Sequence, residues 1–169
     1  MKKFAVIAAA VAIVAAACAP AAVAGVPITK VDKIDPTEEI YMDMACTAAS
    51  KSVASKGKPC GAVVILNRAW KGSGTATADA TAEQNAIVAS RLPDLEFADV
   101  YTICEPTTEA YNDMCRMGAQ NCYFVIPRDV VVAKGIYPAE AYDDSKIDAS
   151  ATPVPLKQMA FPEAEKLVK

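Results

Sequence analysis

The chain has 169 residues, a net charge of −3 and no histidine. Mild acidity without long basic runs excludes the phosphate neutralisation that nucleic-acid binding depends on, so no nucleic-acid partner is expected, and no imidazole is available to a metal or catalytic site. Six cysteines with no Cys-x-x-Cys spacing exclude a thioredoxin-type redox pair.

Residues 1–24 read as a secretory signal peptide: Lys2 and Lys3, an apolar run from Phe4 to Ala17, then small residues ending in Ala22-Val23-Ala24. The apolar run is too short to span a bilayer core of ~30 Å as a helix, so no transmembrane span is expected. Cleavage after Ala24 is the first reading. The alternative is a lipoprotein signal ending before Cys18, in which Ala15-Ala16-Ala17-Cys18 marks acylation and a lipid anchor at Cys18. Either reading makes this an exported protein, periplasmic or in the cell envelope of a bacterium. Cleavage after Ala24 leaves Cys46, Cys60, Cys104, Cys115 and Cys122 in an oxidising compartment, where one or two disulfides form and an odd thiol is left over.

Residues 25–36 read as an extended leader. A helix then begins at Asp35-Pro36-Thr37-Glu38, with Asp35 as cap, Pro36 in the first turn and Glu38 closing a capping box. Ile40, Met44, Thr47, Ala48 and Val53 are its expected apolar stripe. Cys60 to Leu66 is a short continuous apolar run, the pattern of a strand buried on both faces, and Asn67-Arg68 is a turn. Ala69–Thr75 is a weaker strand in which Trp70 is expected to be partly buried. From Thr81 the pattern is helical, with Ala82, Ala86, Ile87, Ala89 and Leu92 on one face. Ala98–Ile103 is a third strand with Tyr101 in the core. Thr107–Ala119 is a helix with Tyr111, Met114, Cys115 and Gly118 inward. Cys122–Ile126 is a fourth strand, with Tyr123 in the core. Asp129–Ala133 is either a short helix or a strand extension, and a short helix is expected near Pro162–Val168. The order is that of an α/β protein, a three-layer α/β/α sandwich. The domain is expected over 37–145, with 146–169 as a C-terminal tail free to pack on it.

Four segments carry a family resemblance. "KPCGAVVILN", "TAEQNAI", "YTICEP" and "MCRMGA" stand, in order, at landmarks of the cytidine deaminase superfamily, and the chain resembles its guanine deaminase and tRNA adenosine deaminase branch. The resemblance implies a cytidine deaminase-like fold with a central mixed sheet of about five strands, and a homodimer as the usual association. It also implies a zinc-activated water, held by His or Cys and two further Cys at two facing helix N-termini, with a glutamate moving protons. Glu83 stands at that glutamate position. The ligand positions depart from the pattern: Thr81 replaces the histidine and Thr107 the first cysteine. The second cysteine is either Ala110 by strict spacing or Cys115 after an insertion, the latter favoured because "MCRMGA" then aligns. Cys115 is thus the only family-matching ligand, and no zinc or other cofactor is expected.

Thr81 is expected as a helix cap, with Gln84 closing the box. Cys104 with Cys115 is the expected disulfide, and Cys46 or Cys60 with Cys122 the next. The leading functional reading is an exported deaminase-fold protein without zinc catalysis. It binds a nucleobase-like small ligand, with Glu83, Thr81 and Cys104 at the remnant pocket, or a protein partner. The alternatives are an active hydrolytic nucleobase or nucleoside deaminase with a rebuilt zinc site and Glu83 as proton shuttle, and a lipid-anchored structural or adaptor protein.

Overall fold

The computed structural model describes residues 25–169; the signal segment and Cys18 lie outside them. The chain runs β1 (Ile28–Val31), α1 (Pro36–Ala54), β2 (Gly61–Leu66), β3 (Ala69–Thr75), α2 (Ala82–Ser90), β4 (Ala98–Cys104), α3 (Thr108–Met117), β5 (Asn121–Ile126), α4 (Arg128–Ala133), β6 (Leu156–Met159) and α5 (Pro162–Leu167). Two 3₁₀ turns, at Ala139–Tyr142 and Asp144–Lys146, lie between α4 and β6. The strands form one mixed sheet in the order β1-β6-β5-β4-β2-β3. β2 is antiparallel to β3 and β4, whereas β4, β5, β6 and β1 are parallel. No helix of the described residues is long and apolar enough to cross a membrane.

The register explains the layers. Gly61 and Val63 face one side, and Ala62 with Thr102 the other, because side chains alternate along a strand. A Cβ at Gly61 would stand 2.3 Å from the Ala49 nitrogen, so α1 lies almost in contact with that face. On the opposite face a Cβ at Gly74 would stand 2.3 Å from the Ala86 nitrogen, which places α2 there. Two glycines thus let two helices sit close to the β2–β3 half of the sheet. α5 joins α1 on its side and α3 neighbours α2 on the other.

The start of α1 is as expected: the Asp35 carboxylate accepts from the Thr37 N–H at 2.8 Å, and the Glu38 carboxylate accepts from the Asp35 N–H at 3.2 Å. Its buried face is not. Met42, Ala45 and Ala49 are fully buried, whereas Ile40 is 59% and Val53 44% exposed. The close approach at Gly61 selects alanines for the inner face and turns the larger residues outward. The same sheet–helix proximity buries Ser90 of α2 in place of Ala89.

Asn67 and Arg68, both at positive φ, form the two-residue turn between β2 and β3. Trp70 beyond it is 53% exposed, because β3 is the sheet's edge, and is not the packing residue expected. Tyr101 and Tyr123 are in the core, stacked at 4.6 Å across β4 and β5. Residues 128–133 are helical. The sheet has six strands where about five were expected. β1 comes from the leader, and β6, from the tail, is inserted between β1 and β5.

The expected Cys104–Cys115 disulfide does not form. Cys60 precedes β2 and Cys104 ends the neighbouring β4, with Cα atoms 5.8 Å apart, and these two are bonded. Strand adjacency makes this pairing, and helix α3 carries Cys115 away from it. Cys46, Cys115 and Cys122 are free and buried, so neither pairing with Cys122 occurs.

Candidate functional site

The site lies where α2 and α3 begin. Thr81 caps α2: its hydroxyl accepts from the Gln84 N–H at 3.3 Å, and the Gln84 amide oxygen accepts from the Thr81 N–H at 3.0 Å. Thr107 caps α3, its hydroxyl accepting from the Ala110 N–H at 3.3 Å. The Gln84 side-chain amide also donates to the Asp113 carboxylate at 2.8 Å, tying the first turn of α2 to α3. Between the helix ends is a cavity of about 590 Å³ walled by Lys58, Thr81, Gln84, Thr107, Thr108 and Tyr137, among others.

A second network lies beside the site. Glu105, buried between Cys104 and the cap of α3, accepts from the Arg128 backbone N–H at 2.9 Å and from its Nε at 2.6 Å. Arg128 continues to the Asp144 carboxylate at 2.9 Å, and the Tyr142 hydroxyl donates to the Glu105 carbonyl at 3.0 Å. These contacts fasten the 139–146 turns, which supply part of the cavity wall, to the strand end that presents Thr107.

Glu83 is 2% exposed and does not line the cavity. Its carboxyl is engaged by the Thr102 hydroxyl of β4. Burial is the largest influence on its acidity and pushes its pKa up, with the Thr102 hydrogen bond opposing. The Thr102 oxygen also stands 3.4 Å from the Gly61 carbonyl. One hydroxyl has one proton. That proton can serve the Glu83 carboxyl or the Gly61 carbonyl, not both, so the opposition of Thr102 to the upward shift is shared with a competing acceptor. Cys104 is likewise behind the wall, in its disulfide. Of the three residues expected to meet a ligand, only Thr81 reaches the cavity.

The helix start bears on the two alignments of the second cysteine. Thr107 caps α3 directly and Ala110 is in its first turn. Cys115 lies eight residues on, about 12 Å along the axis at 1.5 Å per residue, and packs inward away from the cap. Thr81, Thr107 and Ala110 are thus the side chains that the strict spacing brings to the two helix N-termini. Two capping hydroxyls and a methyl do not fit zinc, which takes thiolate, imidazole or carboxylate. Among the described residues no group of three His, Cys, Asp or Glu is placed to hold a metal, and the disulfide removes Cys104 from any rebuilt set.

Sequence reasoning missed Tyr137, Lys58 and the Glu105–Arg128–Asp144 chain. The Lys58 ammonium stands 4.3 Å above the Tyr137 ring, a contact across most of the domain's length that no local pattern signals. A recess of about 650 Å³ at the ends of β1, β5 and β6 is larger, but its wall is mainly aliphatic and contains none of the residues singled out above.

No family model and no curated protein matches the chain. Solved structures do. A structure from work on tRNA:A34 deaminases, which edit A to I at the wobble position, superposes with a TM-score of 0.61 at 18% identity, covering 76% of this chain and 98% of that one. Guanine deaminase from Nitrosomonas europaea gives 0.59 at 16%, covering 80% and 84%. A crystal structure holding 2,6-diaminopurine gives 0.59 at 18%, covering 77% and 78%. The chain has the fold of the cytidine deaminase superfamily, as its four sequence segments implied.

Proposed function

We propose that this is an exported deaminase-fold protein that has lost zinc-dependent hydrolysis and binds a small, nucleobase-like ligand in the cavity between α2 and α3. The observation that supports the reading is the donor set at the two helix N-termini: Thr81, Thr107 and Ala110 stand where the family resemblance leads one to look for zinc ligands. Without a metal-activated water, hydrolytic deamination lacks its nucleophile, and Glu83 faces Thr102 and not the cavity. The cavity is large enough for a purine, and a similar structure holds 2,6-diaminopurine.

Protein purified without added metal, and without a histidine tag, tests this. Elemental analysis is expected to find no stoichiometric zinc, and incubation with adenine, guanine or cytosine to release no ammonia. Zinc at one per chain, or ammonia release that Glu83→Gln abolishes, would overturn the reading. A thermal-shift panel of purines and pyrimidines tests binding. Export rests on residues 1–24, and the mass of the N-terminal peptide separates cleavage after Ala24 from a lipid at Cys18. A homodimer is checked by sedimentation of the purified chain.

A further inference from the structure

Two helix N-termini meet at this cavity, those of α2 and α3, nine and ten residues long. Each carries the positive end of a backbone dipole, worth roughly half a unit charge, and first-turn N–H groups without intrahelical partners. The threonine caps satisfy one amide each, at Gln84 and Ala110. The Thr108 amide takes no acceptor among the described residues, and the Ala82 amide faces the Tyr137 phenol oxygen, which leaves the phenol proton without an acceptor. In a zinc enzyme of this fold, thiolate ligands bring negative charge to this place. Here Thr107 and Ala110 bring none.

Tyr137 is an independent sign of a missing partner. It is 6% exposed, and its hydroxyl is the one buried side-chain polar atom without a hydrogen-bond partner among the described residues. Leaving such a group unpaired is unfavourable unless something from outside completes it. The residue lines the cavity, and its phenol is influenced by the Ala82 amide and by Glu83, so it points to the start of α2. Lys58, over its ring, adds a half-buried cation.

The acids of the cavity wall are open to water. Asp79, Glu109 and Glu140 line it as exposed residues, where water screens them. Asp143 is paired with Lys146 at 3.1 Å. Glu83 is behind the wall and hydrogen-bonded to Thr102. Where the two helices begin, the Thr108 amide, the Tyr137 hydroxyl and the Lys58 ammonium are the donors, and Lys58, Arg116 and Lys146 stand against the four acids of the wall.

We infer that the deep end of this cavity, bounded by the N-termini of α2 and α3, Tyr137 and Lys58, binds a small oxyanion, either free or as the carboxylate or phosphate group of a larger ligand. The inference rests on the ligand-binding reading of the cavity and assigns the chemistry of what fills it. The substitutions that removed the thiolates converted a cation site into one suited to an anion, with the Tyr137 hydroxyl as donor and Lys58 as counter-charge.

Calorimetric titration of the full purified chain with inorganic phosphate, with acetate, and with neutral adenine and cytosine tests it. Phosphate or acetate is expected to bind at one site per chain. Tyr137→Phe is expected to weaken that binding about tenfold, the loss of one hydrogen bond to a charged group, while the ligand-free melting temperature stays the same or rises because the unpaired hydroxyl is gone. Lys58→Met is expected to weaken it and flatten its salt dependence. Binding that is unchanged in both variants would overturn the assignment. If neutral bases bind and neither anion does, the oxyanion inference fails while the ligand-binding reading stands. If nothing binds, both fail.

Discussion

Replacing Glu83 by glutamine tests whether the buried carboxyl is held as the neutral acid. In the folded protein burial raises its pKa, whereas an unfolded chain titrates it near its ordinary value of about 4.3. Above that value the unfolded state has lost a proton that the native state keeps. Stability therefore falls as pH rises, by about 1.4 kcal/mol per pH unit, from about pH 4.3 until the folded-state pKa is passed, and then levels off. Glutamine keeps the shape and a donor for Thr102 but does not titrate. Asp99, also pushed up by burial, contributes equally to both proteins, so their difference isolates Glu83. Urea unfolding at pH 5, 6, 7 and 8 is the assay. The variant is expected to gain on the wild type as pH rises, by about 1.4 kcal/mol for each unit within the window. Parallel curves over the whole range would refute the neutral-acid argument, and a gap that closes as pH rises would mean that the folded state favours the carboxylate.

Removing the Cys60–Cys104 bond by Ser substitution at both positions frees a loop spanning 44 positions. The chain-entropy estimate for a loop of that size is about 4 kcal/mol, so a loss of about 2–4 kcal/mol is expected in urea; an unchanged midpoint would refute the pairing. Glu105→Gln leaves the Arg128 guanidinium without its buried partner. The expected loss is about 2–3 kcal/mol, below the range for fully buried pairs because Arg128 is one-third exposed. Gly61→Ala forces a methyl against α1, where the nearest atom is backbone and cannot rotate aside, and is expected to cost about 3 kcal/mol or more by the same measurement.

Features set by chemistry between near neighbours in sequence were legible before the fold was seen. The Asp35–Glu38 and Thr81–Gln84 boxes and the Asn67-Arg68 turn depend on contacts within three residues, and each forms as read. The apolar run of β2 is buried as its composition implied. Features set by spatial adjacency were not. The phase of α1 follows from how near Gly61 comes, which no helical period encodes. The disulfide follows from β2 and β4 being neighbours, whereas reading along the chain favoured a cysteine closer in sequence. At the site, Thr81 was legible as the cap of α2 because Gln84 follows three residues on, whereas Thr107 as the cap of α3 emerges only from where that helix begins. Tyr137 and Lys58 gave no signal, because a loop tyrosine becomes informative only when its hydroxyl is found buried and unpaired.

The insertion of β6 between β5 and β1 bears on how the chain is made. Ile28 near the start of the described residues pairs with Leu156 near the end, so β1, the first strand among the described residues, waits for β6 before it has a neighbour. Closing so long a loop is slow, and that half of the sheet cannot assemble during synthesis. A chain truncated after residue 150 keeps β2–β3–β4–β5 but lacks β6, which leaves the β5 edge unprotected, and limited proteolysis of that truncated chain should cut freely at residues 28–31.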